Sequence, residues 1–198
     1  MKIIGLAGGS GTGKTTIAKH LEARGGGHLD ADQIGHELLE FDPGVRSKVL
    51  RYFGPDVFEP DGTVNRKTLG ELVFKDPELL KVLSSILHPR IIDTCLRKVT
   101  DMRQAGLPFA VIDAALLLEV KMPLPVEFTI AIRCDKEEQV KRLLAKGQVS
   151  EADIRARLKS QERMEDYFDE ADVVLDTDGD LSQVLARVDE LVDEFLER

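Results

Sequence analysis

The chain has 198 residues, 42% of them hydrophobic and 32% charged, with no tryptophan; that is enough to bury the core of one domain with an appended subdomain. Its net charge of −9 and pI near 5.0 argue against bulk binding to nucleic acid or an acidic membrane, so any positive field has to be local. Cys95 and Cys134 stand far apart with no ligand-type spacing, no stretch approaches the roughly 18 apolar residues of a membrane span, and the glycine-broken N-terminus does not read as a signal peptide. The expected location is the cytoplasm.

The first element is an apolar strand at Lys2–Ala7. Gly8-Gly9-Ser10-Gly11-Thr12-Gly13-Lys14-Thr15 follows it and completes the pattern G-x-x-x-x-G-K-[ST]. A helix over 14–24 comes next, and strand, glycine-rich turn and helix in this order are what a triphosphate site requires. Gly8, Gly11 and Gly13 permit backbone conformations that a Cβ would obstruct. The expected cradle runs over Gly11, Thr12, Gly13, Lys14, Thr15 and Thr16, its amides aimed at phosphate oxygens and reinforced by the positive end of the helix. Lys14 supplies a point charge for the β- and γ-phosphates, and Thr15 a hydroxyl for Mg²⁺. A nucleoside triphosphate with Mg²⁺ is the expected ligand, and the loop alone does not separate kinases from GTPases or motor-type ATPases.

A second strand at Gly27–Asp30 ends in Asp30-Ala31-Asp32. In an extended backbone residues i and i+2 share a face, so both carboxylates would project into the cleft beyond the strand ends, where ligands of such sheets bind. A carboxylate there accepts a proton from an attacking hydroxyl. The alternative is that Asp32 caps a helix beginning near Gln33, and from the residues alone both readings stand.

Residues 32–106 are too long an insertion to be a loop. Apart from a turn at Glu59-Pro60-Asp61-Gly62 they carry helical patterns at Ile34–Phe41, Val45–Phe53, Lys67–Phe74 and Glu78–Gln104, the last predicted as two helices broken at His88-Pro89. This is a helical subdomain suited to the second substrate.

The strand Phe109–Asp113 resembles a Walker B element, its Asp113 carboxylate acting on Mg²⁺ directly or through water, the alternative being a strand-terminal aspartate with no role. Glu119, beyond it, is either a surface residue or a supporting partner. A strand at Glu127–Arg133 leads into a helix over 135–146, on which Arg142 and Lys146 share a face. With Arg157, from a basic segment over 147–170 expected to form a lid, they either neutralise charge on the transferring phosphoryl group or, as is usual for such residues, line a solvated helix face. The last elements are a strand at Asp172–Leu175 and a helix over 181–197 with Leu181, Val184, Leu185, Val188, Leu191, Val192 and Phe195 on one face. The expected fold is a three-layer α/β/α phosphate-loop domain with a five-stranded parallel sheet: core at 1–31, 107–146 and 171–198, plus the helical insertion and the lid.

A guanine-reading Asn-Lys-x-Asp is absent, and D-x-x-G occurs twice, at Asp32-Gln33-Ile34-Gly35 and Asp176-Thr177-Asp178-Gly179, so it discriminates nothing. Taken together, several stretches make the chain similar to bacterial dephospho-coenzyme A kinases. These are the phosphate loop, Asp30-Ala31-Asp32-Gln33-Ile34-Gly35-His36-Glu37, Tyr52-Phe53-Gly54 and Asp61-Gly62-Thr63-Val64-Asn65-Arg66. Val73-Phe74, Ile86-Leu87-His88-Pro89, Asp113 through Glu119, Gln139 with Arg142-Leu143, Arg157 with Gln161, and Ala171-Asp172-Val173-Val174 complete the set.

The resemblance implies transfer of a phosphoryl group from ATP to the ribose 3′-hydroxyl of dephospho-coenzyme A, the last step of coenzyme A biosynthesis. It makes Asp32 the base, gives the acceptor to the helical insertion, and has the lid close over ATP. Four positions depart from the family pattern: Ala7 replaces a threonine, Ala115 a proline, Lys146 the second lid arginine, and Tyr167 a lysine. Lys146 keeps the charge without the bidentate fork of arginine. The alternatives are a nucleoside or nucleoside-monophosphate kinase and, from another class, a non-catalytic ATP sensor. The expected partner is the small-molecule acceptor, with no nucleic acid and no membrane, and the protein is expected to be a monomer or small homo-oligomer.

Overall fold

Short β-branched runs covered on both faces give the chain its sheet, and a run of amphipathic helices gives it a second compact unit. The computed structural model describes residues 1–115, 117–118, 123–147 and 150–198, Phe74 by its backbone alone; Leu116 and Glu119 lie outside the described residues. The two units are Met1–Asp30 with Lys98–Arg198, and Ala31–Arg97.

In the first unit β1 (Lys2–Ala7), β2 (Gly27–Asp30), β3 (Phe109–Asp113), β4 (Phe128–Arg133) and β5 (Val173–Asp176) form one sheet in the order β2-β3-β1-β4-β5, every pairing parallel. All five strands therefore end at the same edge. The register sets Leu6 and Asp30 on either side of Asp113. All of β3 is buried, as is β1 from Ile3 onward, as expected of strands with helices on both sides. β4 and β5 each begin one residue later than predicted: Glu127 and Asp172 still bond their neighbours, but Glu127 Oε1 also accepts from Ile3 N (3.1 Å) and Asp172 Oδ2 from Thr129 N (2.7 Å).

One face of the sheet is covered by α1 (Lys14–Ala23) and α8 (Leu181–Glu197), whose Ile17, Ala18, Leu21, Val184, Val188, Leu191 and Val192 meet Ile4, Leu6, Val111, Ile130 and Ile132. Phe195 stacks on Phe128 with centroids 4.9 Å apart. Leu181, predicted on the same apolar face, is instead 55% exposed, because it opens the helix immediately after the Asp180 cap. α6 (Lys136–Ala145) and α7 (Glu151–Ser160) meet through Val140, Leu143, Ile154 and Leu158, and a 3₁₀ segment at Glu162–Glu170 leads into β5.

The second unit contains α2 (Ala31–Phe41), α3 (Pro43–Phe53), a 3₁₀ turn at Pro55–Val57, α4 (Arg66–Lys75) and most of α5 (Pro77–Gln104) around Leu39, Val45, Val49, Val57, Val64, Leu69, Val73 and Ile86. Asp42 caps α3 through Gly44 N and Val45 N, and Asn65 caps α4 through Thr68 N. Between them the predicted Asp61-Gly62 turn forms: Asp61 accepts from the amide and hydroxyl of Thr63, and Arg46 donates to the Gly62 carbonyl.

α5 corrects the expected break at His88-Pro89, since a single helix runs through Pro89. An interior proline removes one ladder donor and costs about 3 kcal/mol. Ile86, Ile91, Cys95 and Val99, buried on both sides of it, recover about 1.5–3 kcal/mol for each large apolar side chain, enough to hold the helix together. No described helix is long and apolar enough to cross a membrane.

Candidate active site

Parallel strands place their following loops together, and here the carboxyl edge carries the glycine-rich loop after β1, Asp30 closing β2, Asp113 closing β3, Cys134 after β4 and Thr177 after β5. The loop turns sharply at Gly8, where φ is +147° and a Cβ would stand 2.5 Å from the Ile132 carbonyl oxygen; no other residue fits. It ends at Gly13, the N-cap of α1, which provides no side-chain cap. The first amides of a helix lack intrahelical acceptors, so the start of α1 presents donors and the positive end of its dipole to an anion.

Lys14, at that helix start, lies with its Nζ 3.7 Å from Asp113 Oδ1, and the two side chains are 11% and 4% exposed. The sequence-predicted cation and carboxylate thus meet, across the β1–β3 register. Thr15 and Thr16 are exposed in the first turn of α1. The Thr15 hydroxyl and the Asp113 carboxylate are the hard oxygen donors Mg²⁺ prefers, and Mg²⁺ needs only one or two protein ligands beside phosphates and water. No group of three acidic, His or Cys side chains capable of caging a metal occurs among the described residues.

Thr12 faces inward and is buried. Its hydroxyl donates to the Gly9 carbonyl at 2.9 Å, and its own carbonyl accepts from the buried Thr177 hydroxyl at 2.6 Å. Arg142 reaches the same place from α6: Nη2 donates to Thr177 O (2.7 Å), Nη1 to Thr177 Oγ1 (3.2 Å) and Thr12 O (3.4 Å), and Nε to Glu138 (3.1 Å). Its guanidinium therefore braces the loop through Thr12. Lys146, the C-cap of α6, and Arg157, in the last turn of α7, are exposed and form no ion pair among the described residues.

Cys134 donates its thiol hydrogen to Asp178 (3.2 Å). Burial, then that carboxylate, push the thiol up to about 11, so it remains neutral and adds no negative charge near the loop.

Asp30 and Asp32 do not share an extended face as predicted. β2 ends at Asp30 and α2 begins at Ala31, so the two carboxylates belong to different elements and the period-two argument does not apply. Asp32 is an exposed acid within the first turn of α2, one residue inside the helix rather than its predicted cap, and it belongs to the helical unit. Negative charge there suits the dipole of α2.

Thr177 was passed over in the sequence, and Gln139 and Gln161 stood there only as parts of family-like stretches, with no contact assigned to them. Gln139 Nε2 donates to Cys134 O at 2.7 Å, and Gln161 Oε1 accepts from Ser10 N at 2.9 Å. Thr177 sat in the Asp176-Thr177-Asp178-Gly179 string dismissed as uninformative. The signal that would have found it is its position one step past a strand, on the edge where ligands bind.

A family model described as dephospho-CoA kinase matches residues 2–183. The dephospho-CoA kinase of Corynebacterium efficiens is 35% identical over 195 residues, covering 98% of each chain. That of Dehalococcoides mccartyi is 36% identical over 197 residues, covering 100% of this chain and 99% of that one. Among solved structures, a Thermus thermophilus protein superposes with a TM-score of 0.81 at 27% identity, over 98% of this chain and 97% of that chain.

Proposed function

The chain belongs to the dephospho-CoA kinase family, and from that premise we propose how its own residues divide the work of moving the γ-phosphoryl group of ATP to the ribose 3′-hydroxyl of dephospho-CoA. The amides from Gly11 to Thr16 and the ammonium group of Lys14 hold the donor's phosphates. The Lys14–Asp113 pair carries this reading: a cation and a carboxylate rest together at the end of β3, nearly buried, beside the uncapped start of α1. Mg²⁺, held by Thr15 and Asp113, supplies neutralisation of the phosphate charge when it is bound.

Asp32 takes the proton from the 3′-hydroxyl as its oxygen bonds to the γ-phosphorus. The bond from that phosphorus to the bridging oxygen breaks, and ADP leaves. Arg142 adds positive charge from behind Thr12, and Lys146 and Arg157 add theirs from α6 and α7. The helical unit receives dephospho-CoA. We place the protein in the cytoplasm, as a monomer or small homo-oligomer acting on this small molecule and not on nucleic acid; the net charge of −9 supports the last point.

The test is ADP release with mass detection of coenzyme A. The expected result is turnover that requires ATP, Mg²⁺ and dephospho-CoA together and stops on chelation of the metal. ADP release with adenosine or AMP but not with dephospho-CoA would reassign the acceptor, and ATP binding without acceptor-dependent ADP release would make the protein a sensor.

A further inference from the structure

The rear of the phosphate loop is touched by two glutamines. Gln139, on α6, places its backbone oxygen 3.0 Å from where a Cβ on Gly11 would stand. Gln161, the residue that closes α7, accepts from Ser10 N through Oε1 at 2.9 Å, and this oxygen lies 3.3 Å from the corresponding point on Gly9. The helices bearing them are fastened together by Val140, Leu143, Ile154 and Leu158. Arg155 adds two bonds to Glu137 (2.8 and 2.9 Å), and Lys136 pairs with Glu162 at 2.7 Å. Gln161 is thus the point at which a braced helical hairpin grips the loop's tip.

We propose that Gln161 is a positioning residue for donor binding: its side-chain oxygen fixes the Ser10 amide, and with it the turn Gly9-Ser10-Gly11, in the shape that leaves the downstream amides aimed at the triphosphate. The physical reason is entropic. A tip of glycines and serine has many backbone states, and without an acceptor for Ser10 N–H the donor itself must select one of them, which lowers apparent affinity by the fraction of loops already in shape. The same bond joins the loop to the helix that carries Arg157, so one contact sets both parts of the donor site. The proposal rests on the ATP reading above.

The test is donor affinity. Gln161→Met keeps the length and loses the acceptor, and Gln161→Glu keeps an acceptor oxygen but adds a negative charge beside the phosphate site. Calorimetry with a non-hydrolysable ATP analogue and Mg²⁺ is run beside steady-state kinetics. The methionine variant is expected to bind the analogue and to use ATP with Kd and KM raised about 2- to 13-fold, the range that loss of one part-buried hydrogen bond spans, with kcat within about threefold and the acceptor KM within about twofold. The glutamate variant is expected to weaken donor binding more at low than at high salt, since screening removes the charge penalty.

Unchanged donor affinity in the methionine variant overturns the proposal, as does an equal rise in both KM values; if that variant does not fold, a glutamate variant without salt-dependent loss overturns it. Failure of the wild-type protein to bind the analogue would instead sink the ATP reading itself.

Discussion

The sheet-bearing unit holds every buried polar side chain recorded among the described residues, Thr12, Asp113, Gln139 and Thr177, all at strand ends or behind the phosphate loop. The helical unit encloses Leu39, Val45, Val49, Val57, Val64, Leu69, Val73 and Ile86, an apolar cluster, with polar contacts at helix ends such as Asp42 and Asn65 and in the Asp61-Gly62 turn. Burying a polar group costs free energy unless it is fully bonded. A sheet edge crowded with such groups, three answered by backbone carbonyls and Asp113 by the Lys14 ammonium, has been shaped for something other than stability. The apolar unit has been shaped to hold its form. Substitutions in the first should therefore damage catalysis, and those in the second should damage folding.

Asp32 breaks that division, since it is the proposed base yet belongs to the helical unit, and its replacement carries the largest expected effect. Asp32→Asn keeps the size and removes the basicity, so kcat should fall by about 10²- to 10⁴-fold, the usual worth of a positioned base. The KM for ATP should change by less than about twofold, and stability should fall by no more than about 1 kcal/mol, what a negative charge in the first turn of a helix contributes. Wild-type kcat in this variant would confine the reactive groups to the sheet-bearing unit and leave the comparison without its exception.

What was legible in the chain follows the same line. The strands were readable because β1 and β3 are apolar runs buried on both faces, and the phosphate loop because its glycines are demanded by local geometry, as Gly8 against Ile132 shows. Pro89 was misread because a local rule met a long-range force: burial of Ile86 and Ile91 on either side outweighs one lost hydrogen bond. The Asp30–Asp32 relation was misread because where β2 stops is decided by where α2 starts, and the period-two argument assumes a strand that continues. Gln139 and Gln161 were visible only as members of family-like stretches, and Thr177 only in a string that discriminates nothing. Their contacts were not legible, because each arises only when the fold brings the side chain against Cys134, Ser10 or Thr12.

The opposite side of the comparison is sharpened by Leu69, 2% exposed in the helical core. Leu69→Ala should cost about 2–5 kcal/mol, the transfer of the lost methyl groups plus the cavity they leave. Urea denaturation should show this as a lowered midpoint, while kcat measured well below the transition stays near that of the wild type. A loss below about 0.5 kcal/mol would mean that this core is not closely packed, and a fall in kcat without loss of stability would mean that the helical unit is more than a scaffold.

The smallest effect is expected at Asp42, where cap and charge can be separated. Its carboxylate accepts from Gly44 N at 2.8 Å and Val45 N at 3.0 Å and pairs with Arg90. The Arg90 guanidinium first, then the Val45 amide, hold the carboxyl below its ordinary value. A group so lowered binds protons more weakly in the folded than in the unfolded chain, so its stabilisation is fully present above the unfolded value near 3.9 and fades as pH falls through the folded one. Asp42→Ala should therefore cost about 1 kcal/mol at pH 7, as a lost N-cap does, and progressively less as pH drops below about 4. Asp42→Asn, an equally good cap without the charge, should lose less than the alanine variant, because Arg90 is 48% exposed and pairs of that kind contribute little. If the asparagine variant instead lost as much as alanine at pH 7, the ion pair and not the cap would be what anchors α3, and the helical unit would depend on charge after all.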